Sequence, residues 1–84
     1  MNELLLNIDK LHTTQLGAQR IKRKAAPDAE DPVEWCRRRI EDPACFMIRK
    51  GKNWYATTGD CEITVNAHSY TIITAHSNGG KTCL

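Results

Sequence analysis

The sequence predicts one small α+β domain, with two or three N-terminal helices packed on one face of a four-stranded antiparallel meander. Three observations predict it. Apolar residues of the first half recur at helical spacing. After Pro43 the apolar period falls to two. The links between the later apolar runs are short enough to be hairpins, which makes sequential strands antiparallel neighbours. The helical half spans 1–43, the sheet 44–76, and a polar, glycine-rich flexible tail 77–84. A chain of 84 residues is one domain, burying roughly 60% of its unfolded surface. Formation of a homodimer would widen that thin margin.

Leu4, Ile8 and Leu11 share one helical face. Thr13 or Thr14 offers a hydroxyl cap to a segment running through Leu16, Gly17, Ile21 and Lys24, and Gly17 marks a place where another backbone comes close. The two segments could form one helix or two. Ala25 to Asp31 reads as a loop. Asp31, Pro32 and Glu34 then supply an N-cap, a first-turn proline and a capping-box spacing. Val33, Cys36 and Ile40 form the stripe of that helix, and Asp42-Pro43 ends it.

The strands are expected at Cys45–Lys50, Asn53–Thr57, Glu62–Asn66 and Tyr70–His76, joined by turns at Gly51, at Gly59-Asp60 and at Ala67-His68-Ser69. Ile63, Val65, Trp54, Phe46 and Ile48 belong on the core face, and Tyr55, Thr64 and Asn66 on the other. For the last strand we favour the register with Thr71, Ile73 and Ala75 toward the core. Tyr70, Ile72, Thr74 and His76 then join the open face; the reverse register flips all of them.

The sequence has no signal-peptide pattern and no apolar run of membrane-spanning length, so a cytoplasmic protein is expected. Cys36, Cys45, Cys61 and Cys83 lack C-x-x-C spacing and read as reduced thiols. His12, His68 and His76 lack the spacing of a metal site, and no metal or cofactor is expected. Gly80-Lys81-Thr82 lacks the upstream glycine and the following helix of a phosphate loop.

The net charge of +2 decides nothing about partners, but the bases cluster. His12, Thr13, Thr14 and Arg20 lie around the first helices. Arg49, Lys50, Lys52, Asn53 and Tyr55 lie around the first hairpin, and Asn66, Ser69, Thr74 and His76 on the last two strands. Such side chains suit a phosphodiester. Arginine and lysine hold phosphate, histidine moves protons, and hydroxyls and amides bond the non-bridging oxygens. In RNA the 2′-hydroxyl is the nucleophile, so no metal is needed. Each residue also has an ordinary role: threonines build strands, Asn66 and Ser69 make turns, and Tyr55 packs.

Three stretches resemble a known family. They are Leu11-His12-Thr13-Thr14-Gln15-Leu16-Gly17-Ala18-Gln19-Arg20-Ile21-Lys22, Arg49-Lys50-Gly51-Lys52-Asn53-Trp54-Tyr55, and Ile63 to Asn66 with Ser69 to His76. They resemble a small bacterial family known only as a domain of unknown function. The element order, closing on Ile72-Ile73-Thr74-Ala75-His76, is similar to the fold of barnase, RelE, the ribonuclease colicins and the EndoU enzymes. That resemblance implies metal-independent RNA cleavage by a toxin-type or mobile-element protein. It implies His12 for proton transfer, Arg20 and Lys52 as phosphate binders, and Thr74 and His76 as strand-borne catalytic groups. RelE begins with a strand, whereas this chain is expected to begin with helices. The alternative reading is a non-enzymatic module that docks RNA or a protein through the basic hairpin and the open sheet face. For a toxin-type protein, an acidic partner or antitoxin would match the basic surface.

Overall fold

The computed structural model describes residues 3–25, 27–59 and 61–77. The expected tail therefore lies, Ser77 apart, outside the described residues, as does the Gly80-Lys81-Thr82 stretch. The elements are α1 (Glu3–Leu6), a 3-10 turn (Ile8–Lys10), β1 (His12–Thr13), α2 (Gln15–Lys24), α3 (Pro32–Glu41), β2 (Phe46–Lys50), β3 (Asn53–Thr58), β4 (Cys61–Asn66) and β5 (Thr71–Ser77). Among the described residues, no helix is long and apolar enough to cross a membrane.

The sheet is five-stranded and mixed, in the order β1-β5-β4-β3-β2, with β1 parallel to β5. This corrects the expected four-stranded meander. β2 to β5 do form an antiparallel meander. The extra strand is two residues long, too short to carry any apolar period. It is held where the His12 backbone N–H donates to the Tyr70 carbonyl.

Local chemistry explains the helices. Thr14 caps α2 by accepting the Gly17 N–H, at 3.0 Å. Asp31 caps α3 by accepting the Val33 and Glu34 N–H groups. Glu34 turns its carboxylate to Arg37 and Arg38, stapling the first turns of α3. The first segment is not one continuous helix: α1 stops at Leu6, and Leu11 is extended.

The helices cover one sheet face. Leu4, Leu11, Ile21, Cys36 and Ile40 close on Trp54, Ala56, Ile63, Val65, Ile72 and Ala75. Tyr55 and Thr64 pair on the opposite face, as the alternation requires. Two expectations fail here. Phe46 and Ile48 are 66% and 46% exposed, because the pairing Met47↔Ala56 turns Cys45 and Met47 to the core side instead. Cys45 to Ile48 is apolar at every position, so it carries no alternation to choose a face. In β5 neither register holds throughout. A bulge separates the pairs Thr64↔Thr74 and Val65↔Ile72, so Ala75 and Ile72 both face the core and Ile73 is pushed outward.

Cys36 is completely buried, and burial, then the nearby Cys61, pushes its thiol up to about 12. The folded chain therefore keeps a proton that the unfolded chain loses above its ordinary value of 9.0. Stability should be unaffected by this group below that pH and fall as pH rises toward the folded value. Alkaline melting curves should show a shallower decline for Cys36→Ala than for the natural chain.

Candidate active site

Positioning begins with the pairing of β1 on β5. The register His12↔Thr71 sets an imidazole beside a hydroxyl 59 residues away in sequence. His12 Nδ1 lies 2.9 Å from the Lys10 carbonyl, and Nε2 lies 3.0 Å from Thr71 Oγ1. Thr71 Oγ1 lies 2.7 Å from Ser69 Oγ, which is 3.3 Å from Asn66 Oδ1. Asn66 Oδ1 also accepts the His68 and Ser69 N–H groups, at 2.9 and 3.0 Å, and so fixes the turn.

The partners dictate the protons. A carbonyl only accepts, so Nδ1 carries hydrogen. In the neutral ring, Nε2 is then the lone-pair nitrogen and accepts from Thr71, whose oxygen accepts from Ser69. When Nε2 gains a proton, it donates to Thr71, Thr71 turns its hydrogen to Ser69, and Ser69 donates to Asn66 Oδ1. Two hydroxyl rotations thus absorb a proton without moving a heavy atom. The His12 ring is exposed, and its orientation is fixed at both nitrogens, by the Lys10 carbonyl and by the Thr71 hydroxyl, so a substrate meets Nε2 by displacing Thr71.

Tyr70 stands in the left-handed region at φ 59°, an outlier for a bulky residue. The conformation costs roughly 1–2 kcal/mol. It is held because Tyr70 N–H donates to the Asn66 carbonyl, its own carbonyl receives His12 N–H, and its ring packs on the core. Strain of this kind gathers at functional sites. The Lys10 ammonium lies 5.9 Å from the centre of the Tyr70 ring.

Residues 5–76 match the family described as a protein of unknown function, DUF3781. The chain belongs to that family. No curated protein and no solved structure matches it. The DUF3781 match includes every residue of the hydroxyl chain, from Lys10 to Thr71.

The DUF3781 chain gathers many of the expected residues at one end of the sheet. Asn53 pairs with Asn66, Lys50 with Asn53, and the Ala67 N–H donates to the Lys52 carbonyl, so the hairpin tip adjoins the Asn66–Tyr70 turn. Lys10, Arg49, Lys50 and Lys52 are all exposed there, which makes this end basic. Arg49 reaches the Gly51 carbonyl. Asn53 Nδ2 donates to Tyr55 Oη at 3.4 Å.

Other expected residues lie elsewhere. Thr13 donates to the Ile72 carbonyl and Thr14 caps α2, so both hydroxyls serve the framework. Arg20 is exposed on α2, in the helical layer. His76 pairs with Glu62 on the opposite sheet face, its Nε2 3.7 Å from Glu62 Oε1. Thr74 Oγ1 is buried with no hydrogen-bond partner among the described residues. His76 is five residues along β5 from Thr71, roughly 15 Å, so it cannot share one phosphodiester with His12. Thr71, Tyr70 and Lys10 were missed as site residues. Thr71 had no signal in the sequence, because its role comes wholly from pairing with β1.

Proposed function

We propose that this chain is a metal-independent endoribonuclease acting at His12. The observation that carries the reading is the oriented, exposed His12 with its proton-accepting chain to Thr71 and Ser69. In the proposed step, an RNA 2′-hydroxyl takes the place of the Thr71 hydroxyl at Nε2 and gives that nitrogen its proton, while Thr71 stays bonded to Ser69. The 2′-oxygen attacks the adjacent phosphorus, the bond to the 5′-oxygen breaks, and that oxygen leaves with a proton from solvent. The products are a 2′,3′-cyclic phosphate and a 5′-hydroxyl. Lys10, Lys50 and Lys52 supply cations for the phosphates on either side. An acidic protein partner would block the same basic end.

The test is incubation of mixed RNA in EDTA with the natural protein and with the Lys10→Gln, Lys52→Gln double variant. The natural protein should cleave, and the double variant should cleave more slowly with a shallower salt dependence. RNA bound with a steep salt dependence but left intact would move the function to the docking module.

A further inference from the structure

We infer that the open sheet face is a subsite for an unpaired nucleobase, with Tyr55 as its stacking platform, a reading that rests on the RNA function proposed above. Tyr55 lies between Ile48 of β2 and Thr64 of β4. Its Oη meets the Asn53 amide two residues back, so the ring leans along β3 toward the hairpin instead of standing upright. The half-buried ring lines a cleft of about 540 Å³ together with Ile48, Lys50, Gly51 and Glu62. That volume lies within the ordinary range of small-ligand sites.

The charges around the ring are arranged for a nucleotide. Lys50 stands on the hairpin side, toward the basic end that carries His12. Glu62 stands on the far side, across from Thr57. A base stacked on Tyr55 would hold its phosphate toward Lys50 and turn an N–H edge to the Glu62 carboxylate. Aromatic stacking tolerates any base, because every base has a π face. His12 lies three strands across and about one pair of residues along, roughly 15 Å away by strand spacing. The subsite therefore holds a base further along the strand than those that bracket the scissile bond, and its loss should raise KM while leaving kcat largely intact.

The probe is a fluorescein-labelled 2′-O-methyl RNA hexamer, which the protein can bind but has no free 2′-hydroxyl to attack. Anisotropy titrations should show Tyr55→Leu binding about 5- to 150-fold more weakly than the natural chain, with Tyr55→Phe close to natural. Equal binding by Tyr55→Leu overturns the subsite. So does Tyr55→Phe binding as weakly as Tyr55→Leu, because the phenolic hydroxyl rather than the ring would then be responsible. Failure of the natural chain to bind overturns the subsite and the RNA reading together. Ring-dependent binding without cleavage of ordinary RNA supports the subsite and overturns only the cleavage step.

Discussion

Replacing His12 by alanine is expected to slow RNA cleavage by at least ~100-fold, the usual weight of one general acid–base group. The fold should survive, because the ring is exposed and its hydrogen bonds, to the Lys10 carbonyl and to Thr71, lie at the surface. Thr71→Val keeps the strand shape and removes one hydroxyl. It should cost about fivefold, the weight of a single hydrogen bond. Ser69→Ala should cost less, because Asn66 still fixes the turn through two backbone N–H groups. Single-turnover cleavage rates for the three variants, each confirmed folded by circular dichroism, check this order. Equal losses for all three would mean that His12 acts through the network and not as the base.

Gly17→Ala is expected to destabilise the protein by about 1–3 kcal/mol, even though alanine is the better helix former by about 1 kcal/mol. The overlap decides the sign. A β-carbon at Gly17 would run into Thr13 Oγ1 and come within 3.3 Å of the Ile72 carbonyl. Thr13 cannot swing aside freely, because its hydroxyl is bonded to that carbonyl at 2.8 Å. Relief therefore means moving α2 away from β1 and β5. For a domain of this size the melting temperature should drop by roughly 5–20 °C. Thr13→Ala removes the hydroxyl in the way, so the double variant should be less destabilised than the sum of the two single variants. Thermal melts of the four proteins in the cycle measure this coupling. Additive losses would place the cost of Gly17→Ala elsewhere than at Thr13.

What was legible in the sequence follows the strength of local signals. The Asp31-Pro32 start set α3, and the alternation of Trp54 with Tyr55 and of Ile63 with Thr64 set the faces of β3 and β4. Where the pattern was uniform, as from Cys45 to Ile48, the sequence could not assign a face, and Phe46 and Ile48 came out on the other side. In Ile72-Ile73 the two candidates are chemically the same, and a bulge decides which is buried. At the site, His12, Asn66 and Ser69 could be named for their chemistry. That they sit together through Thr71 depends on a two-residue parallel strand, a long-range contact with no local pattern. The separation of His12 from His76 likewise emerges only once β1 is paired with β5 at Thr71.

The most direct measurement uses an oligonucleotide of deoxynucleotides with a single internal ribonucleotide, incubated with the protein in EDTA. One cut is expected, immediately 3′ to the ribonucleotide and leaving a 2′,3′-cyclic phosphate, and it should be lost in His12→Ala. An intact oligonucleotide, cutting at deoxynucleotides, or a cut that survives His12→Ala would contradict cleavage at His12.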